Sequence, residues 1–490
     1  MTRSLRNALL ATELPGIQRP AYDRAKVTPG IVHIGPGAFH RAHQAVYVDD
    51  LLAQDPRWGI TGISLRSPDV AEALTPQAGL YTLLLTGEET RARIIGSIAG
   101  VIVTRSAQAQ AIQRLAAPET GLITLTITEK GYCLDEVGAL DTEHADIRHD
   151  ATHPHQPRSA IGYLVAGLAA RRAQGLAPPA ILSCDNLPEN GARLRGAVLQ
   201  LASLTDPDLA RWIEGEVCFP GSMVDSITPA TSPALREQVR TQFGLEDSWP
   251  IQREPFTAWV IEDMPRAALP DFASVGATIT SDVAAYATAK LRLLNGAHSA
   301  LAYYGAALGE TTVAGAMRNA RVERYVTTLL RDELAPAVKA PPGLDLAEYC
   351  ATILQRFGNP AIEYTLVQIG SDGSQKIPIR LLATLNDNLA AGRPIAGIAA
   401  ALAGWIIFVR QFAKAGRALP DPSAAHLAAL ANAATGRGDE DARLFMEHSG
   451  LFAPELAAHS GLRDAIAQAY DELIKTTEKT AGRRIGQDAA

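Results

Sequence analysis

Along its first half the chain alternates short apolar runs with longer stretches whose apolar residues recur every three or four positions. Residues 30–34 (GIVHI), 60–65, 80–85, 94–103, 122–127 and 180–184 are apolar runs of strand length, several rich in β-branched residues. They predict buried strands. A helical pattern follows Gly37 as far as Leu52, and helices are expected at about 107–115, 158–174 and 191–202. Strand, helix and strand in this order predict a parallel sheet covered on both faces. Beyond about residue 283 the chain turns Ala- and Leu-rich and keeps the helical spacing, with few convincing strands. One long helix is expected over 282–308, then others over 321–334, 346–356, 377–389 and 395–413. Pro341-Pro342-Gly343 and Gly358-Asn359-Pro360 read as loops between them. The polar end from about Thr476 is expected to fray. The pattern thus predicts an α/β domain over residues 1–282 and an all-α domain over 283–490.

Composition narrows the class. Of 490 residues, 47% are hydrophobic, which excludes wholesale disorder and suits a globular chain with a large core. The net charge of −7, from 45 basic and 52 acidic residues, gives no footprint for nucleic acid. Cys133, Cys184, Cys218 and Cys350 lie far apart without a CxxC, so neither a disulfide framework nor a cysteine zinc cage is indicated. No apolar run approaches the ~18 residues of a membrane span, and the most apolar helix, near 395–409, is flanked by Arg393 and Arg410. The N-terminus carries no long apolar stretch or obvious cleavage site, so a cytoplasmic location is expected.

Candidate chemistry lies in two places. Gly35-Pro36-Gly37 ends the first strand and precedes a helix near Ala38. Gly35 permits a tight turn, Gly37 admits a pyrophosphate close to the backbone, and the helix start offers partial positive charge. The third glycine of the usual dinucleotide fingerprint is replaced by His40; the other reading is an ordinary strand-to-helix turn. After the second strand, Asp69 suits the ribose hydroxyls of NAD, whereas Arg66 suits the 2′-phosphate of NADP.

The second place is KLRLLNGAHS at 290–299, on an otherwise apolar helix. At about 100° per residue, Lys290, His298 and Asn295 project at about 0°, 80° and 140°. They form either a solvent-facing stripe or a site. A lysine desolvated in a pocket accepts a hydroxyl proton near neutral pH, and asparagine amides stabilise a developing alkoxide. Asn186, in SCDNLPENG, ends a predicted strand at the sheet edge where ligands bind. No HExxH or Cys/His zinc pattern occurs, and His144, His149, His153 and His155 sit in a polar, loop-like segment that does not read as a metal site.

Taken together, GPGAFHRAHQ (35–44), TEKGYC (128–133), SCDNLPENG (183–191), FPGSMVD (219–225), VIED (260–263), KLRLLNGAHS (290–299) and DGSQKIP (372–378) resemble the polyol-specific long-chain dehydrogenases. That family comprises mannitol 2-dehydrogenases and fructuronate reductases (mannonate oxidoreductases), and the resemblance covers nearly the whole chain. It implies a Rossmann-type N-terminal domain, a mainly α-helical C-terminal domain, NAD as cofactor and no metal. It further implies Lys290 as general acid/base, Asn186 and Asn295 as the alkoxide-stabilising pair, and His298 orienting the substrate oxygen. Gly35, Gly37, Ala38, Phe39, Arg66, Asp69 and Glu129 are expected at the cofactor, and Asp225, Lys376 and Arg380 at the substrate. Ser226 replaces an arginine common in the family, and Ala287 an acidic residue three positions before the lysine.

The SCDN-x-x-ENG and DGSQKIPIR runs look closer to fructuronate reductases, and Lys376, Arg380 and Arg292 are candidate cations for an anionic substrate. The favoured reading is reduction of a sugar acid, fructuronate to mannonate. A mannitol, arabinitol or related polyol dehydrogenase is the alternative. A non-catalytic NAD(H) sensor is a third reading, which Ala287 favours and Lys290, Asn186, Asn295 and His298 oppose. The expected partners are a small-molecule sugar acid or polyol, without nucleic acid or membrane, in a protein that acts as a monomer.

Overall fold

The computed structural model describes residues 3–487 except Glu363, with side chains described as far as Thr477. The chain divides into two compact units, residues 1–284 and 285–490.

In the first unit, β1 (Ile31–Ile34), β2 (Ile60–Ser64), β3 (Ile98–Val103), β4 (Leu122–Leu125) and β5 (Ala180–Ser183) form one sheet. Its strand order is 3-2-1-4-5, with every neighbouring pair parallel. This is the order of the dinucleotide-binding α/β fold. The strands are largely apolar on both faces. Val32, Ile34, Ile63, Ile123 and Leu125 enter one hydrophobic cluster, while Ile31, Ile60, Leu122, Ala180 and Leu182 enter another on the opposite face. Helices α1 (Ala38–Ala42), α2 (Thr104–Ala116), α3 (Ala160–Ala173) and α4 (Asn190–Thr205) supply much of the connection between strands. Beyond α4, β6 (Ser222–Asp225) pairs antiparallel with β7 (Ala258–Glu262) in a smaller sheet.

Two expectations in this unit are corrected. The apolar run 94–103 is not one strand. It breaks at Gly96-Ser97, where the Gly96 N–H donates to Asp49 (2.8 Å) and the Ser97 hydroxyl to the Ala45 carbonyl (2.6 Å). Residues before the break, in the strand Thr90–Ile95, pair antiparallel with Tyr81–Thr86 in a separate sheet. The histidine segment is not loop-like either: Ala145–Thr152 is a helix capped by His144, with His149 and His153 stacked 4.6 Å apart. Among the described residues no group of three or more His, Cys, Asp or Glu is arranged to hold a metal ion.

The second unit is built around α5 (Gly296–Ala307) and α6 (Ala396–Lys414), both largely buried, with α7 (Ser460–Gln487) against α6. Helix α6 is, contrary to the sequence expectation, long and apolar enough to cross a membrane by length and composition alone. However, 72% of its apolar window is buried inside the fold. It carries Arg410, buried and paired with Asp441 at 3.1 Å, which also accepts from the Tyr470 hydroxyl at 2.9 Å. The segment expected to fray from about Thr476 lies in α7, which runs to Gln487. The hydroxyl of Thr476 accepts from Arg321 (2.8 Å), and that of Thr477 donates to the Ala307 carbonyl (2.8 Å), while residues 488–490 lie outside the described residues.

The helix expected over 282–308 is continuous but not uniform. Val283–Ala289 is α-helical, Lys290–Asn295 is a π turn, and α5 follows. Two more π turns, Leu330–Leu334 and Pro378–Leu382, pack against the first. Pro378 accounts for the last in part, since it cannot donate to the preceding turn and a wider turn relieves its ring.

Candidate active site

Because the strands of the main sheet are parallel, their carboxyl ends share one edge, and most sequence-predicted residues of the first unit emerge there. Gly35 follows β1 with φ +89°, and a Cβ on it would lie 2.2 Å from the Thr126 carbonyl oxygen, so only glycine fits the turn. Its own carbonyl accepts from the Gly37 N–H (2.6 Å) and the Thr126 hydroxyl (2.8 Å). His33, wholly buried in β1, adds its Nε2 at 3.2 Å from that carbonyl and 2.8 Å from the Thr126 hydroxyl. The carbonyl can only accept, so Nε2 carries the proton and Nδ1 accepts from the Thr124 hydroxyl at 2.7 Å. Burial pushes the His33 imidazole down to about 3, which keeps it neutral. The position of the missing third glycine is filled by the His40 ring, buried and stacked 3.4 Å from His33.

The loop fits a pyrophosphate. Gly37 is exposed at the start of α1, and no side chain caps the helix, so the N–H groups ahead of Ala38 and Phe39 face no competing carboxylate or hydroxyl cap. Phe39 stacks on His43 at 4.9 Å. After β2, Arg66 and Asp69 are both exposed, and Asp69 opens the helix Asp69–Leu74 with its N–H donated to the Ser67 hydroxyl (3.1 Å). After β4, Glu129 is exposed in a short 3-10 turn.

After β5, Asn186 is exposed at the end of a tightly tied loop. Sequence reasoning missed what ties it. Asn190, buried, donates to the carbonyls of Asp185 (3.1 Å) and Ser222 (2.9 Å) and accepts from the Ser222 N–H (3.0 Å). Asp185 accepts from the N–H groups of Ile127 and Thr128, both at 2.9 Å, and from the Tyr132 hydroxyl at 2.7 Å. Their only sequence signal was the density of polar residues in SCDNLPENG. Asp225 is buried at the end of β6, and the neighbouring Ser226 hydroxyl donates to the Phe256 carbonyl at 3.1 Å.

In the second unit, Lys290 is 9% exposed, although it is a lysine on an apolar helix. The π turn that it opens changes the stripe read from the sequence: the Gly296 N–H reaches back to the Leu291 carbonyl five residues earlier. Residues five apart therefore stack, which draws Asn295 towards the Lys290 face from the wider angle of a regular helix. His298 follows one turn later, half-buried and stacked on Phe357 at 4.8 Å. Arg380, on the third π turn, donates to the buried Ser299 hydroxyl beside His298 at 3.1 Å. Lys376, one turn earlier on the same helical segment, donates to Ser371 (3.2 Å) and pairs with Asp372 at 3.5 Å. Burial and then the nearby Arg380 charge hold the Lys376 ammonium below its ordinary range. Arg292 is occupied elsewhere, by an ion pair with Asp387 and a 3.0 Å bond to the Ala337 carbonyl. The structure thus groups Lys290, Asn295, His298 and Arg380 around the start of α5, and groups the glycine turn, Arg66, Asp69, Glu129 and Asn186 along the edge of the sheet.

Comparison with known proteins follows both units. Residues 29–272 match the mannitol dehydrogenase Rossmann domain and residues 282–474 the mannitol dehydrogenase C-terminal domain. The chain belongs to the mannitol dehydrogenase family. It is accordingly an oxidoreductase with a Rossmann-type N-terminal domain and a mainly helical C-terminal domain, as the sequence implied. It is 38% identical to the D-mannonate oxidoreductase of Escherichia coli K12 over 95% of this chain and 97% of that one. It is 42% identical to the mannitol 2-dehydrogenase of Cereibacter sphaeroides over 79% and 82% of the two chains. Among solved structures, the Pseudomonas fluorescens mannitol 2-dehydrogenase, a ternary complex with NAD and D-mannitol, superposes with a TM-score of 0.81 at 34% identity, covering 99% of this chain and 100% of that one. A substrate-free D-sorbitol dehydrogenase superposes with a TM-score of 0.89 at 29% identity, covering 97% and 99%.

Proposed function

We propose that this oxidoreductase uses NAD(H) to interconvert a secondary alcohol and a ketone on an open-chain sugar acid, fructuronate and mannonate being the favoured pair. The glycine turn and Asp69 would hold NAD(H) by its pyrophosphate and ribose, and the bound nicotinamide would supply the hydride acceptor or donor. The chain's own residues do the rest. Lys290 accepts the hydroxyl proton in oxidation and returns it in reduction. The side-chain amides of Asn186 and Asn295 donate to the oxygen as negative charge develops on it. His298 orients that oxygen, and Lys376 and Arg380 attract the carboxylate that distinguishes a sugar acid from a polyol.

The observation that carries this reading is Lys290, buried at 9% exposure within a π turn of an apolar helix. Burial keeps this amine out of bulk water, the setting in which a lysine exchanges a proton directly with a bound substrate. Lys290→Ala is expected to lower turnover by about 10²–10⁴-fold with NADH affinity little changed. Near-normal turnover would overturn the assignment of the base. A second reading, a mannitol or related polyol as substrate, is supported by the 42% identity to the Cereibacter enzyme. Rates of NADH oxidation with fructuronate, tagaturonate, fructose and xylulose separate the two. The sugar acids are expected to give the higher kcat/KM, and a preference for fructose would favour the polyol.

A further inference from the structure

Thr128 is a β-branched residue at φ +63° and ψ 164°. That region is almost confined to glycine, and holding another residue there costs about 1–3 kcal/mol unless the surroundings enforce it. Here they do. The Asp185 carboxylate takes the Thr128 N–H on one oxygen, and the Ile127 N–H and the Tyr132 hydroxyl on the other. Tyr132 is fully buried and its hydroxyl also bonds Ser183 on β5. One carboxylate therefore joins the ends of β4 and β5 at the ligand edge of the sheet, in the peptide immediately before Asn186. Burial raises the Asp185 carboxyl while its donors favour the ionised form. The Asp185 carboxylate itself lies beyond the strands, which end at Leu125 and Ser183.

We infer that Asp185 is a positioning residue for the reaction: by clamping the strained Thr128 turn it fixes the direction in which Asn186 presents its amide. The inference rests on the reading of Asn186 as a donor to the reacting oxygen. An aspartate is suited to the task because two oxygens can serve both main-chain donors at once, whereas an asparagine in its place offers a single acceptor oxygen. The tie acts through another residue, so it predicts coupling rather than a simple loss.

The test is a double-mutant cycle in the full-length enzyme, read as kcat with saturating NADH and the best sugar of the panel, alongside NADH affinity by fluorescence titration. Asp185→Asn is expected to lower kcat about tenfold or more in the wild-type background, with NADH affinity nearly unchanged. On an Asn186→Ala background the same change is expected to add less than about twofold, because residues acting as a unit are non-additive. Thr128→Gly, which accepts the positive φ without the clamp, is expected to restore part of the loss in Asp185→Asn. An undiminished kcat in Asp185→Asn, or an equal loss on both backgrounds, overturns the inference alone. Near-normal turnover of Asn186→Ala overturns the reading of Asn186 on which it rests. Should Asp185→Asn not fold, Tyr132→Phe removes one donor from the same carboxylate. Its expected loss is about two- to fivefold in the wild-type background and absent in Asn186→Ala, and equal losses in both again overturn the inference.

Discussion

His33 holds the glycine turn as a neutral donor, and that sets how the fold answers acid. Its imidazole titrates at about 3 in the folded chain against an ordinary 6.5. The unfolded chain therefore binds a proton between those values that the folded chain refuses, and stability falls as pH drops through this window. The stacked His40 is shifted in the same direction, again by burial first. Thermal melts between about pH 7 and pH 4 are expected to show a steep loss that His33→Gln makes shallower, the difference being on the order of a few kcal/mol. An identical pH profile in that variant would show that other groups govern acid unfolding. At this scale the sequence exposed the residues that look chemical. Lys290, Asn295, His298 and the GxG stand out by type and context. Those that work by tying loops do not: Asp185 and Asn190 carry no signal of their own in the sequence, and most of their partners lie between about 30 and 60 positions away.

Among the elements, the short parallel strands were legible because burial on both faces leaves a continuous apolar signature. The break at Gly96 was not, since the same run of β-branched residues continues across it and only Asp49 and Ala45 reveal the corner. The three π turns were invisible for a different reason: a pattern scored at one period has no way to register a single widened turn. Their packing makes a sharp demand on Gly296. A Cβ there would meet the Arg380 carbonyl oxygen at 2.9 Å. Main chain cannot yield as a flexible side chain does, so Gly296→Ala is expected to cost about 1–3 kcal/mol in urea unfolding. It is also expected to lower kcat by pushing Arg380 away from Ser299. Unchanged stability would mean that the π turns are not held in contact there.

For the whole molecule, the alternation of strand and helix followed by helix alone was enough to predict the class, and the joint motifs were enough to imply the family. On the proposed reading, Asp69, in the first turn of the helix after β2, would accept from a free ribose 2′-hydroxyl and repel a 2′-phosphate. NADH at about 100 times its Kd is expected to raise stability by about 2.7 kcal/mol, seen as an increase in Tm. NADPH at the same concentration is expected to do much less, and an equal rise would give Arg66 the deciding role. The widened turn at Lys290–Asn295 also carries a genetic consequence. Losing one of the four codons between Lys290 and Asn295 would heal the segment into plain α-helix and leave the two flanking helices in nearly the same relative orientation, because the widened turn already absorbs one extra residue. Such a deletion would keep the helix whole, yet bring its amine and amide to a spacing of four residues instead of five.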